Sequence, residues 1–530
     1  MKKIIALDVG SSNIKACVFD ANDKLNLLYN KTVKVGLYSP KIGYAEHDAN
    51  EMWNILSSAI KDIFSDGAIK KEDIALVSIC SQAQCVVLVD KDGNALTPVF
   101  NSQDARAVDT FKKYYSSGLT FADLNLRKLL ICLFDSGFLP GSAKDPVFKF
   151  KWAEDNMKEA YAKSYKWLDI KDFLIMKLTG EFVTTTDNAH AYTIYKSNKN
   201  NKTWAKKACG CFKVDMNKLP KVVDCKEVVG TINEKVSKET GLAVGTPVIG
   251  GLIDSSAVQY GSGAAEVGET MIYWGTSGWI GAVTDKFTIN VVTKCGSLIA
   301  SEKNRFHYYE VLDSAGASYA WIKEHIVSDD GLLGTVDTLL DGVYNNMNEV
   351  LKDIPTGSDG LMFAPWITGV RAPMEASDIG GMFINIKRNM GKKHFIKAVA
   401  EGICYHYRLL MESNKKNVKY PKVVRFVGGG AKSVQIAQIL ADITGCTVEV
   451  PYNPQNAGVY GAAILALYAL GENNRSLVDV AHLQKAEKVF TPIEKNSKIY
   501  DKYYSIYKKI YRKNHKILSN LTKIRESVGE

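Results

Sequence analysis

The sequence predicts an α/β protein of two related halves packed around a central cleft, and three observations predict it. A strand–turn–strand meander opens the chain, a similar one returns near residue 270, and short apolar runs alternate with helical patterns between and after them. Asp8-Val9-Gly10-Ser11-Ser12-Asn13 through Val18 aligns with Tyr273-Trp274-Gly275-Thr276-Ser277-Gly278 through Val283, at an offset of 265 residues that is half of the 530-residue chain. No low-complexity linker separates the halves, so they are expected to meet directly.

Residues 4–7, 14–19 and 24–29 are apolar runs joined by the turns Gly10-Ser11-Ser12-Asn13 and Asp20-Ala21-Asn22-Asp23, which gives the first meander. Residues 75–80 and 86–90 read as strands, the second closed by Asp90-Lys91-Asp92-Gly93. Residues 167–178 carry apolar side chains at helical spacing and stop at Thr179-Gly180. An apolar strand over 248–253 delivers Asp254 at its end. In the second half, 395–410 is a helix, and 423–427 is a strand running into Gly428-Gly429-Gly430. Helices follow over 435–443 and 458–470, the latter buried through a face of small residues.

Composition narrows the class. The chain is too long for one ordinary core, and 46% hydrophobic with 23% charged residues excludes disordered and fibrous proteins. Four apolar residues before Asp8 are too few for a secretion signal, and the most apolar stretch, 457–471, falls short of the ~20 residues of a spanning helix. A cytoplasmic protein with no membrane partner is expected. Ten scattered cysteines without a Cys-x-x-Cys pair imply reduced thiols and no structural zinc. The net charge of +10 is partly concentrated over 498–523, a Lys-, Arg- and Tyr-rich segment read as a solvated amphipathic helix rather than a nucleic-acid contact.

Three glycine-bearing turns stand at strand ends: Gly10-Ser11-Ser12-Asn13, Gly275-Thr276-Ser277-Gly278 and Gly428-Gly429-Gly430-Ala431. Glycine lets backbone N–H groups approach an anion, and Ser and Thr hydroxyls add hydrogen bonds. Each turn alone reads equally as a plain hairpin or the start of a helix, and none fits the Walker or Rossmann pattern. Together, two similar hydroxyl-rich hairpins can clamp a polyphosphate while the third turn holds a nucleoside. Asp8, before the first hairpin, is a hard carboxylate suited to Mg²⁺. Asp254 follows Gly250-Gly251-Leu252-Ile253, where a helix cap is the alternative to a functional carboxylate and the glycines favour close backbone approach.

With these residues in view, the chain resembles the FGGY carbohydrate kinases over nearly its full length. The phosphate motif Asp-x-Gly-Thr/Ser-x-x-x-Lys/Arg matches residues from Asp8 to Lys15, and Leu-Gly-Thr-Ser-Gly matches Trp274-Gly275-Thr276-Ser277-Gly278 with Trp for Leu. Gly-Gly-Gly-Ala-x-Ser matches Gly428 to Ser433, and the catalytic Gly-x-x-Asp matches Gly251-Leu252-Ile253-Asp254. Segments 146–152, 171–173 with 178–182, and 369–373 match as well. The resemblance implies two ribonuclease H-like domains, 1–256 on the sugar side and 257–530 carrying the nucleoside site and the basic helix. It implies ATP and Mg²⁺ in the cleft, with Asp8 toward the metal. Gly10, Ser11, Ser12, Asn13, Lys15, Gly275 and Thr276 would meet the phosphates, and Gly429, Gly430 and Ser433 the nucleoside. Asp254 would be the general base for phosphoryl transfer to a sugar hydroxyl.

For the sugar, the resemblance is strongest to xylulokinases, and it implies contacts from Gln82, Gln84, Asp104 and Ser255. The chain departs from that pattern in reading Ser81-Gln82-Ala83-Gln84 for Gly-Gln-Met-His, Ser102 for the Trp before Gln103-Asp104-Ala105-Arg106, and Ser255 for Asn. It lacks the Arg-Glu pair of glycerol kinases, and Asn385 replaces a glycine of Gly-x-Phe-x-Gly-Leu at 381–386. The amides suit a polyhydroxylated ketose, each with local backbone capping as its alternative role. Ribulose, a tetritol and gluconate are other acceptors; an actin-like ATPase and a non-catalytic sugar-binding relative are other classes. The expected partners are a small-molecule sugar and ATP, with no nucleic acid; a homodimer is compatible with the sequence.

Overall fold

A computed structural model describes the chain except residues 1, 23, 122–123, 139, 198–201, 291–294, 303, 328–339, 375, 377, 472–473 and 529–530. In the first half, β1 (Lys3–Val9), β2 (Asn13–Asp20) and β3 (Leu27–Lys34) form the antiparallel meander. β3 begins later than the apolar pattern suggests because the Asp20 carboxylate accepts hydrogen bonds from Asn22 and Asn26 and lengthens the turn. Helix α1 (Ala49–Asp62) follows, capped by Asp48, and leads to β4 (Ile74–Ser81), which lies parallel to β1. The stretch 167–178 divides: Lys166–Leu168 is a strand, and α2 (Ile170–Thr179) starts after Asp169 and ends at left-handed Gly180. Then come α3 (Thr186–Ala191), β5 (Val228–Thr231), β6 (Pro247–Ile249), β7 (Leu252–Ile253) and α4 (Asp254–Gly261). The sheet order is β5-β6-β4-β1-β2-β3, with β7 also paired to β4.

The second half repeats this plan. β8 (Thr270–Trp274), β9 (Gly278–Thr284), β10 (Ile289–Asn290), β11 (Cys295–Ile299) and β12 (Phe306–Leu312) precede α5 (Lys392–Ser413) and β13 (Val423–Val427). α6 (Val434–Thr444), β14 (Thr447–Pro451), α7 (Ala457–Ala469), β15 (Ala486–Phe490) and α8 (Glu494–Val528) complete it. The sheet order is β10-β11-β12-β9-β8-β13-β14-β15. In both sheets an antiparallel meander meets parallel strands at its first member. The internal match is not uniform: β1 and β2 close at Val9↔Ile14, whereas β8 and β9 close at Trp274↔Gly278. The second turn is one residue shorter, so the alignment slips by one after it.

Strand alternation assigns the two faces of the first sheet. Ile5, Leu7 and Val9 face Met52, Trp53, Phe173 and Leu174 of α1 and α2. Ile4 and Ala6 face Val459, Ala463 and Ile464 of α7, a helix from the other half. Reciprocally, Val258 of α4 packs with Met271 and Val427 of the second sheet. The exchanged helices cross backbone to backbone: a Cβ at Gly261 would overlap the Ala457 carbonyl oxygen, and one at Gly461 that of Ala257. The expected boundary at 256/257 falls inside α4.

The basic C-terminal segment is only partly a solvated helix. Tyr500, Tyr504, Tyr507 and Ile510 are buried in the core of the second half, and Tyr500 donates to the buried Glu401 at 2.9 Å. Its tyrosines are therefore packing residues, while its lysines keep to solvent. No described helix is long and apolar enough to cross a membrane, and the cysteines are thiols not joined in disulfides, nearly all buried.

Candidate active site

Asp8 and Asp254 lie at the C-terminal ends of the central strands, the usual place for a ligand in a sheet of this kind. Asp8 lies on β1 beside Cys80 of β4, and Asp254 follows β7, whose Ile253 pairs with Ser81 of the same strand. The two carboxylates thus flank the end of β4. Asp8 alternates with Ile4 and Ala6 and therefore points toward α7, where Gly458 leaves it room: a Cβ there would stand 2.7 Å from Asp8 Oδ2.

Asp254 reaches this place through a strand that breaks at two glycines. Gly251 adopts φ +74°, and a Cβ on it would overlap the Ile79 carbonyl oxygen of β4; one on Gly250 would lie 2.6 Å from Thr185 Cγ2. Asp254 is the first residue of α4, and its Oδ1 accepts the Ser255 N–H at 2.6 Å. No hydrogen bond reaches Oδ2 among the described residues, so the carboxylate is not consumed as a cap. Burial pushes Asp254 up to about 7 from 3.8, the charges of Asp8 and Asp187 add to the rise, and the Ser255 N–H opposes it. Burial also raises Asp8, against the pull of Lys15 and the Cys80 thiol.

Among the described residues no group of three or more His, Cys, Asp or Glu side chains could hold a metal by itself. A recessed carboxylate across the end of β4 from a second one nevertheless fits Mg²⁺, which keeps water and takes its remaining ligands from phosphate oxygens. Asp8 is the residue that would hold it.

The three turns border these carboxylates. Tyr273, next to the second turn, senses the charges of both Asp8 and Asp254, and its ring stacks on Trp279 at 3.8 Å. Thr276 is exposed at the tip, and the carbonyls of Gly275 and Thr276 accept from Gly316 and Ala317. In the first turn Gly10 N–H donates to Asn13 O at 2.9 Å, with Ser12 exposed and Ser11 half-buried. Lys15 Nζ donates to Gln455 O at 3.0 Å and Asn456 Oδ1 at 3.3 Å, and Gly428 N–H donates to Pro454 O. Residues 454–456 therefore join the first turn to the third. Gly429 is exposed, whereas a Cβ on Gly430 would press against the Trp274 ring, which explains glycine there. The Ser433 hydroxyl is occupied differently from the expected nucleoside contact: it accepts the Ile436 N–H as the cap of α6.

On the sugar side the structure separates contacts from braces. Gln82 is buried, its Oε1 accepting from Asn101 and its Nε2 donating to His47 Nε2 at 3.2 Å. His47 Nδ1 donates to Gly36 O, which leaves Nε2 as the acceptor. Asp104 is fully buried and accepts four hydrogen bonds, from Ala45 N and from the backbone and guanidinium of Arg106. The Arg106 guanidinium is further held by Glu46 and by the Tyr44 and Phe100 rings, 4.0 Å away on each. Gln84 is half-buried at φ +65°, its carbonyl accepting from buried Lys149, which also donates to Asn101 O. Ser255 is half-buried beside Asp254, its carbonyl accepting from Tyr309 Oη at 2.7 Å.

Sequence reasoning gave no individual role to His47, Asp187, Lys149 of the matched segment 146–152, Tyr273 of the repeat, or residues 454–457. Only the last carry a local signal, the Asn-Pro turn before a helix; the others acquire their roles from long-range contacts.

Two sheets of one topology that exchange a helix, with a hydroxyl-bearing turn from each half beside a pair of recessed carboxylates, define a phosphotransferase of the actin and sugar-kinase class. The chain belongs to the FGGY family of carbohydrate kinases, whose N-terminal domain matches residues 3–261 and whose C-terminal domain matches residues 270–470. It is accordingly an ATP-dependent carbohydrate kinase acting on a small-molecule sugar. It is 28% identical over 523 residues to a xylulose kinase of Staphylococcus xylosus, covering 96% of this chain and 100% of that one. It is 25% identical over 508 residues to a gluconokinase of Bacillus subtilis, covering 94% and 93%. The fold matches a ligand-bound xylulose kinase from Lactobacillus acidophilus with a TM-score of 0.85 at 24% identity, over 98% of this chain and 100% of that one.

Proposed function

We propose that this kinase transfers the terminal phosphoryl group of ATP to a hydroxyl of a ketopentose, as a xylulose kinase does, with Asp254 as general base. The observation that carries the reading is the Asp254 carboxylate: recessed, with one oxygen free of partners, and raised to about 7, where a base is both ionised and basic near neutral pH. An alcohol is hardly ionised at that pH, so its proton must leave as the O–P bond forms. Lys15, Thr276 and the backbone N–H groups of the first two turns suit the phosphate charge. Mg²⁺ at Asp8 would neutralise phosphate oxygens when bound.

Similarity to xylulose kinases supports a ketose, and the cation inventory argues against an aldonate. Arg106, in the second sugar segment, is paired with Asp104 and Glu46 and is not free to bind a carboxylate, while Lys149 donates to the carbonyls of Gln84 and Asn101. Of the two amides expected at the sugar, Gln84 is the one whose side chain makes no internal hydrogen bond among the described residues; Gln82 and Asp104 act as braces that fix the loops around it.

ADP release measured against a panel of sugars tests the reading. D-xylulose or a related ketopentose is expected to give the highest kcat/KM. A preference for gluconate would overturn the ketose assignment, and sugar-independent hydrolysis would oppose the role of the sugar segments. Gln84→His, which restores the residue xylulokinases carry there, is expected to raise the D-xylulose to D-ribulose kcat/KM ratio by about tenfold. An unchanged ratio would remove Gln84 from the sugar contacts.

A further inference from the structure

We propose that Asp187 is a positioning residue for phosphoryl transfer, tethering the main chain that carries Asp254 and placing a fixed negative charge behind it. The proposal rests on Asp254 being the base.

Asp187 lies on α3, fully buried, at a place no sugar or nucleotide motif covers. Its Oδ1 accepts from Thr185 Oγ1 at 2.6 Å, Asn188 N at 2.8 Å and Cys225 Sγ at 3.4 Å. Its Oδ2 accepts the Ile253 N–H at 2.9 Å, from the residue directly before Asp254. That strand needs outside support. β7 has two residues, pairs only with β4, and sits at the start of α4, where aliphatic Ile253 offers no side-chain cap. Lys171 holds the same segment further back, donating from Nζ to Gly250 O at 2.9 Å. Within two residues of Asp254, two side chains outside the segment hold its backbone among the described residues: Asp187 at Ile253 N–H and Tyr309 at Ser255 O.

The same carboxylate acts through its charge. Asp8 on β1, Cys80 near the end of β4, Cys85 in the loop beyond it, Asp187 on α3, Tyr273 on β8 and Tyr309 on β12 are the titratable groups that interact with Asp254. Burial keeps the thiols and phenols neutral, which leaves Asp8 and Asp187 as the charges that make Asp254 more basic.

Asp187→Asn tests both functions, because the amide keeps the shape, loses the charge and turns an N–H toward one of the four donors. The expected result is a ten- to hundredfold fall in kcat, a sugar KM within about threefold of wild type, and an acid limb of kcat displaced to lower pH. Thr185→Val is the control: it removes one donor but leaves the charge and the Ile253 tether, and its acid limb is expected to match wild type. Wild-type kcat and acid limb in Asp187→Asn would overturn the proposal, and so would a lower kcat with an unmoved limb. If Asp187→Asn does not fold, Asp187→Glu replaces it, with reduced kcat and an unmoved limb expected; wild-type kcat there would overturn the tether. Asp254→Asn separates the two claims. Wild-type turnover in that variant removes the base assignment, whereas its inactivity beside a normal Asp187→Asn removes only the role of Asp187.

Discussion

Asp254→Asn is expected to bind ATP normally and to lose about 10²–10⁴-fold in kcat, the contribution of a positioned general base, or about 3–5 kcal/mol of barrier. Rapid-quench turnover together with nucleotide titration checks both halves of the statement. The wild-type acid limb of kcat/KM should fall near pH 7, since the base works only when ionised and burial holds it at about 7. The same substitution is expected to stabilise the protein. A carboxyl raised from 3.8 to about 7 binds a proton in the folded but not the unfolded chain between those values, so its contribution to stability is lost as pH rises through that window. Above pH 7 the asparagine variant should be more stable by about 1–3 kcal/mol, reduced from the full shift because the site reaches solvent. Toward pH 4 the difference should vanish. Denaturant melts at pH 8 and pH 4.5 read this directly, and a variant less stable than wild type at pH 8 would contradict the strained carboxylate.

Gly461→Ala is expected to destabilise the fold by about 3 kcal/mol or more. A methyl group there would overlap the Ala257 carbonyl oxygen of α4, and backbone cannot move aside as a flexible side chain can. Because α4 carries Asp254 at its first residue and α7 brings Gly458 against Asp8, any separation of the helices also displaces both carboxylates. Activity should therefore fall in the fraction that stays folded. Thermal melts and turnover measured on the same preparation test the pair; a wild-type melting temperature would show that the crossing has slack.

Much of this arrangement was legible in the chain. Short apolar runs located β1, β2, β4 and β13, helical patterns located α5, α6 and α7, and the glycine-bearing turns fell at strand ends. The boundaries that missed have local causes. Trp167 fits a helix by spacing but pairs with Leu88 in a short antiparallel strand pair, because Asp169 is where the helix can be capped. The apolar run over 248–253 is two strands, because Gly250 and Gly251 turn the chain against β4.

The candidate site divides in the same way. Glycines, hydroxyls and carboxylates at strand ends suggest phosphate binding because turn geometry is local, and the resemblance to a known family added the kinase class and Asp254 as the proposed base. Side-chain roles on the sugar side are not local. Gln82, Asp104 and Ser433, expected ligand contacts, each also make hydrogen bonds within the protein, to His47 and Asn101, to Arg106 and to Ile436, and Asp187 gains its partner Ile253 only on folding. Sequence settled which groups could bind and react. Tertiary structure decided which of them are free to do so, because a polar side chain buried on folding must satisfy its hydrogen bonds with whatever distant segment packs against it.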